Sequence, residues 1–465
     1  MKISIKNLGA IKQAEFTLGE LTIICGENNT GKTYATHATY GFLDFLRTNA
    51  EFPVNQSDIE KLYSEGAIQL SLQPYIENFK KYLSVSTKKY SKILHRIFAG
   101  VEQHFDHASL TIDMDFGDSK ITDKSELTFG TANNRSILNN KSIPNTHSLE
   151  ISLIIEKSDE DLPPKHVVED MIQRAIRNIL MGSVIPNPFL ASAERTGAAI
   201  FQKELDFTRN RLIEMLGDKS AKLNPIQLLG KFSGEYPMAV RKNVDFIREL
   251  PSITHKESFI LKNHPDLLEA FKDIIGGEYK VSKDGEIQFH PSSNKRIKLS
   301  LVESSSAVRS LLDIGFYLRH VAARGDLLMV DEPELNLHPE NQRRVARLFA
   351  RLVNVGIKVF ITTHSDYIIK ELNTLIMLNQ GGERLKALAK REHYQNSELL
   401  NSDKVKVYIA KEALIKLEGA QRKTQCHTLV EANIDSKLGI EAPSFDKTIE
   451  AMNRIQEEIV WGGEE

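Results

Sequence analysis

Residues 21–33 read Leu-Thr-Ile-Ile-Cys-Gly-Glu-Asn-Asn-Thr-Gly-Lys-Thr. The first five form a largely apolar run, as expected of a buried strand in a parallel sheet. The next eight, Gly26, Glu27, Asn28, Asn29, Thr30, Gly31, Lys32 and Thr33, fit G-x-x-x-x-G-K-[ST]. Residues 34–45 read as a helix. Strand, glycine loop and helix in that order form the unit on which phosphate binding is usually built. Gly26 and Gly31 let the loop bend so that the N–H groups of Asn28, Asn29, Thr30 and their neighbours point at a phosphate, and the helix N-terminus adds its dipole. Lys32 would neutralise β- and γ-phosphate oxygens, and the Thr33 hydroxyl would hold Mg2+.

Working outward, the next α/β signature lies far along the chain. Residues 327–332 read Leu-Leu-Met-Val-Asp-Glu, an apolar strand ending in two carboxylates. Many strands end in a solvated acidic turn, so this pattern gains force only beside the glycine loop. There Asp331 would bind Mg2+ through water and Glu332 would polarise an attacking water. A helix over 340–353 leads to a strand over 358–362, followed by Thr363-His364-Ser365. A lone histidine at a strand end is more often structural, but at this place in the strand order His364 can hydrogen-bond a γ-phosphate. Ahead of the acidic strand, Ser304-Ser305-Ser306 precedes an apolar helix over 311–321. Those serines read either as a helix cap or as an anion site reaching a phosphate held by another subunit.

Between these parts, residues 55–105 look helical, 109–116 and 148–156 look like strands, and 166–275 is mostly helical. Residues 279–302 read as a hairpin and strand turning at Asp284-Gly285. The segment after about 375 mixes short strands, over 404–410, with a final helix near 445–459. Four segments follow: 1–45 and 185–375 as parts of one α/β head, 46–184 as a mainly helical insertion, and 376–465 as a small α/β extension. No repeat of fixed period and no sustained heptads appear.

Lys plus Arg is 60 and Asp plus Glu is 62, a formal net charge of −2. That balance argues against a protein that mainly coats nucleic acid, although a local basic face is compatible with it. The two cysteines, Cys25 and Cys426, are too few for a disulfide framework. With no apolar leader or membrane-spanning run read from the sequence, a cytoplasmic protein without a membrane partner is expected.

The order of glycine loop, serine loop, Asp-Glu strand and Thr-His-Ser resembles an ABC-type P-loop ATPase head, a mixed sheet with flanking helices. Asp331-Glu332-Pro333-Glu334-Leu335-Asn336-Leu337-His338-Pro339 and Thr363-His364-Ser365 resemble one branch of it. That branch contains the RecF/SMC-like ATPases, the overcoming-lysogenisation-defect nucleases, and the ATPase subunits of bacterial anti-phage systems such as Septu and PARIS. Residues 190–197 and 274–279 are similar to the same branch. The resemblance implies ATP and Mg2+ as cofactors. Gly26, Gly31, Lys32 and Thr33 take the Walker A role, Asp331 and Glu332 the Walker B roles, and His364 the switch role. Ser304, Ser305 and Ser306 match the signature loop loosely, because its usual glycines are missing. Residues 336–339 match the loop that addresses a partner subunit. Arg195 is open among a nucleotide contact, a brace on the sheet edge and a partner for a structural carboxylate.

For this branch the resemblance implies a chain that pairs with itself in a dimer or higher oligomer. It also implies control of a separate effector protein, a nuclease in kind, in answer to a nucleic acid or phage-derived trigger. A built-in nuclease is not expected, since Asp403, Asp435 and Asp446 are scattered without a Glu…Asp-x-Asp cluster. The competing class is a DNA repair or recombination ATPase of RecF/SMC type. Lys80, Lys81, Lys88, Lys89, Lys92 and Arg96 form a run without an acid between them. Such a run reads either as a track for phosphates or as a solvated helix face.

Overall fold

The strand Leu21–Gly26 is buried at all six positions, and a strand apolar on both faces needs a neighbour on each side and covering layers above and below. The computed structural model describes residues 1–117, 126–130, 136–143, 146–154, 163–201, 236–294, 296–441 and 451–459. In it this strand lies inside a six-stranded sheet. The order is Lys423–Glu431, Val405–Lys416, Leu21–Gly26, Lys358–Thr363, Leu327–Asp331, Pro188–Ala191. Both neighbours run parallel to it, Leu327–Asp331 runs parallel to Lys358–Thr363, and Lys423–Glu431 is antiparallel to Val405–Lys416. The sheet is therefore mixed, as the resemblance implied.

Register decides where chemistry collects. Thr363 pairs with Cys25 and Thr362 with Asp331, so the C-terminal ends of three parallel strands stop level with one another. The glycine loop, the acidic pair and His364 all leave the sheet at that edge, which is where open α/β sheets bind ligands.

The helix expected over 34–45 spans Lys32–Asn49. It starts at the lysine because Gly31, with φ of +95°, closes the loop, and the Gly31 carbonyl accepts from Ala35 N–H at 3.0 Å. The helix expected over 340–353 is Pro339–Asn354, with proline at its start and the His338 side chain accepting from Glu340 N–H. Its apolar stripe, including Val345, Phe349 and Leu352, packs into one cluster with Val330, Ile361 and Leu372. The segment expected to be one helix over 311–321 is instead broken into Leu312–Phe316 and a wider turn Tyr317–Val321, preceded by a separate short helix Ser306–Ser310. The Ala322 N–H reaches back to the Tyr317 carbonyl at 2.8 Å, the five-residue spacing of a π-turn.

The chain divides into two compact units. The first in importance here comprises Ser4–Ala38, Leu94–Ala108 and Phe189–Glu465. Strands Val405–Lys416 and Lys423–Glu431, from the segment 376–465, belong to its central sheet. The short strand expected over 404–410 is thus one arm of a long hairpin. The Asp284-Gly285 turn joins Gly277–Val281 to Ile287–Pro291 in the expected antiparallel hairpin. Of the expected final helix, 451–459 is helical, and 442–450 lies outside the described residues.

The other unit comprises Met1–Ile3, Thr39–Ile93 and Ser109–Pro188. It holds helices Gln56–Glu65, Phe79–Lys92 and Lys165–Val184. It also holds a four-stranded antiparallel sheet ordered Ala67–Ser71, Ser148–Leu153, Ser136–Ile143, Glu126–Gly130. The helical reading of this insertion thus gains a sheet, two strands of which lie between the strands expected near 109–116 and 148–156. Among the described residues no helix is long and apolar enough to cross a membrane.

Candidate functional site

The glycine loop is built so that nothing larger fits. Gly26 has φ of +141° and Gly31 φ of +95°, a region that side chains rarely adopt. A Cβ at Gly26 would lie 2.4 Å from the Ala410 carbonyl oxygen, and one at Gly31 2.6 Å from Ile11 Cγ1. Asn29, at φ of +63°, makes the remaining left-handed step, which asparagine tolerates. The Thr30 hydroxyl donates to the Glu27 carbonyl at 2.8 Å and pins the turn. Asn28 and Asn29 are exposed at its tip. Lys32 folds under the loop and donates to the carbonyls of Gly26 at 3.0 Å and Glu27 at 2.7 Å. Burial lowers its pKa, and the nearby Glu332, Asp331 and Glu334 carboxylates push in the opposite sense.

Asp331 is fully buried, a placement that strongly disfavours a bare carboxylate. Burial pushes its pKa up, but His37, Thr362 and Thr33 outweigh that and hold it below the usual aspartate value. The Thr362 hydroxyl donates to Oδ1, Thr33 lies near enough to favour the charged carboxylate, and His37 Nε2 stands 3.5 Å from Oδ2. The glycine-loop helix and the acidic strand, far apart in sequence, therefore meet at one carboxylate.

Glu332 has φ of +50°, a left-handed conformation that costs a non-glycine residue about 1–3 kcal/mol. Its N–H is shared between the Thr362 carbonyl at 3.2 Å and hydroxyl at 3.3 Å. That twist lifts the Glu332 side chain off the sheet toward His364, whose Nδ1 lies 3.7 Å from Glu332 Oε1 and 3.3 Å from Glu334 Oε1. Glu334 accepts from the Thr363 hydroxyl at 2.9 Å and the His364 N–H at 2.8 Å. Burial raises its pKa. Its other oxygen, Oε2, has no hydrogen-bond partner among the described residues.

The serine loop differs. Ser305 caps the short helix Ser306–Ser310 by accepting from Val308 N–H at 3.3 Å. The Ser304 hydroxyl donates to the Ser300 carbonyl at 2.7 Å. Arg309 Nη1 donates to the carbonyls of Leu301, Val302 and Ser304. Ser304 is buried, whereas Ser305 and Ser306 are exposed.

One contribution went unread in the sequence and another was left open among three roles. His37 lies one helical turn beyond Thr33, so helical spacing puts both on one face, but nothing in the sequence says that Asp331 waits there. Arg195, left open above, is buried and spends its guanidinium on main-chain carbonyls of Ser310, Ser192, Asp331 and Glu332. In the basic run, Lys80 pairs with Asp115 at 2.8 Å and Lys89 with Glu51 at 2.6 Å, so two of its charges are met by acids.

Thr33 and Asp331 offer oxygen ligands, and Asp331 Oδ2 is buried without a hydrogen-bond partner among the described residues. Such a donor set fits a hard divalent cation. The arrangement of cradle, buried lysine and paired acids fits a nucleoside triphosphate with its metal.

Residues 1–369 match the protein family described as AAA ATPase domain. No curated protein matches the chain. Similar solved structures include an SMC head bound to the C-terminal winged-helix domain of ScpA, with 14% identity over 92% of this chain and 97% of that one and a TM-score of 0.32. Another is the Pyrococcus furiosus SMC head domain with an extended coiled coil bound to the C-terminal domain of ScpA, with 12% identity over 98% of each chain and a TM-score of 0.32. The SMC head domain from Thermotoga maritima is 11% identical over 93% of this chain and 98% of that one, with a TM-score of 0.29.

Proposed function

The chain belongs to the AAA ATPase domain family and is an ATPase, and from that premise we propose that it is the ATP-hydrolysing subunit of a bacterial anti-phage complex. In this reading it forms nucleotide-bridged dimers or higher oligomers and controls a separate effector protein, a nuclease. The observation that carries the catalytic part is the meeting of the glycine-loop helix and the acidic strand, where His37 Nε2 stands 3.5 Å from Asp331 Oδ2, with Lys32 buried alongside the acidic cluster. The biological part is supported by the likeness of residues 331–339 and 363–365 to that branch of ATPases.

The loop 26–31 and the start of the helix Lys32–Asn49 cradle the phosphates. Lys32 turns from its loop carbonyls to β- and γ-phosphate oxygens. Thr33 and Asp331 hold Mg2+, which when bound offsets charge on the β- and γ-phosphates. Glu332 accepts a hydrogen bond from the attacking water and takes its proton as the oxygen–phosphorus bond forms. His364 donates to the γ-phosphate, which leaves ADP as inorganic phosphate.

Glu332→Gln keeps the size and hydrogen-bonding reach of the side chain and removes its basicity. Expected is a turnover loss on the order of 10²–10⁴-fold, with ATP still bound and an ATP-loaded dimer accumulating in sedimentation. Turnover that survives the substitution overturns the assignment of Glu332 and moves the role to Glu334. Purification from the native operon tests the effector: a neighbouring nuclease that enters the complex supports the reading, and an ATPase that emerges alone counts against it.

A further inference from the structure

Arg195 has five N–H donors in a planar fork, and four of them are committed to main-chain carbonyls. Nε donates to Ser310 at 2.5 Å, Nη1 to Ser192 and Asp331 at 2.7 Å each, and Nη2 to Glu332 at 2.9 Å. Its own segment is fixed from behind. The buried Asn243 side chain accepts from Ser192 N–H at 3.2 Å and donates to the Leu190 carbonyl at 2.6 Å. A buried guanidinium on carbonyls alone lacks a compensating charge, and Asp313 supplies one nearby. Asp313 is also buried, and neither of its carboxylate oxygens has a hydrogen-bond partner among the described residues. Burial pushes its pKa up to about 7, with Arg195 acting in the opposite direction.

Two features make the fork more than ballast for Asp313. Glu332 is held in a left-handed conformation that persists only if its surroundings enforce it. Thr362 holds the Glu332 N–H and Arg195 holds its carbonyl, so the twist is gripped on both sides. Ser310, in turn, ends the short helix that Ser305 caps. We propose that Arg195 is a positioning residue that locks the backbone of Glu332 in its left-handed turn and ties that turn to the end of the serine-loop helix. A shift of the serine loop then changes the aim of Glu332 without touching the phosphate cradle. This rests on Glu332 being the base.

The competing explanation is that Arg195 merely balances buried acids. The double variant Arg195→Met with Asp313→Asn removes both charges and retains bulk, so it separates the two. Expected are ATP affinity equal to the wild type and a kcat lower by about 100-fold, the scale of a small misplacement of a catalytic group. Wild-type kcat in the double variant overturns the proposal. If the double variant does not bind ATP, Arg195→Lys decides, because it keeps the charge but not the planar fork. Unchanged affinity with a similar fall in kcat then supports positioning, whereas wild-type kcat, or loss of ATP binding in this variant as well, overturns it. Glu332→Gln assayed alongside keeps the questions apart: active Glu332→Gln protein refutes the base assignment whatever Arg195 does.

Discussion

The end of the sheet and the serine loop are both rich in hydroxyls, but they treat them in opposite ways. At the sheet end Thr362 and Thr363 point inward and serve buried carboxylates. In the serine loop Ser305 and Ser306 face solvent, and Ser305 serves only the first turn of its own helix. Buried polar groups must be satisfied within the fold, while exposed ones are available to something else. One half of the proposed reaction centre thus turns its hydroxyls onto buried carboxylates, leaving Asp331 Oδ2 and Glu334 Oε2 without hydrogen-bond partners among the described residues, and the other is presented outward. That contrast is what a nucleotide bridging two copies requires.

The contrast breaks most severely if the sheet-end half fails to bind the nucleotide. Lys32→Ala removes the only cation among the groups named in the phosphate cradle and is expected to abolish ATP binding, measured by calorimetric titration. Retained affinity means that the loop is not the phosphate site. A smaller effect is expected at His37, which faces the Asp331 oxygen opposite Thr362. Removing a partner that orients a metal-holding side chain typically weakens metal affinity by about 10–100-fold. His37→Ala should therefore raise the Mg2+ concentration needed for half-maximal turnover by that factor, with activity recovering at high Mg2+. An unchanged Mg2+ curve places His37 among structural residues.

These residues also mark how far the sequence could be read. The glycine loop was legible because its chemistry is local: φ, phosphate amides and lysine all lie within eight consecutive positions. The acidic strand was legible because its apolar run and terminal acids have one period and one end. Arg195, His37 and the joining of 405–416 to the central sheet were not, since each depends on which distant segment lies alongside. Backbone carbonyls carry no sequence signature, so an arginine that binds four of them looks like any other. The sheet in the insertion was partly hidden for a different reason. Its strands are short, and Ala67–Ser71 is mostly exposed with one buried residue, Leu70, so little alternation marks it.

The smallest expected effect bears on the serine loop itself, where a cap and a contact with a partner's nucleotide give different results. Replacing a capping serine by alanine costs about 1 kcal/mol, and by glycine only a few tenths. If Ser305 is solely a cap, Ser305→Ala lowers the melting temperature by about 1–2 °C, Ser305→Gly barely moves it, and both turn ATP over normally. If its hydroxyl also reaches a phosphate on the second copy, both substitutions delete that bond. A hydrogen bond to a charged group contributes about 1.5–3 kcal/mol, so turnover at limiting protein concentration should then fall at least tenfold in both. The glycine variant is the decisive one, because its fold is spared: normal turnover in Ser305→Gly leaves the loop a cap and removes the hydroxyl from the bridge.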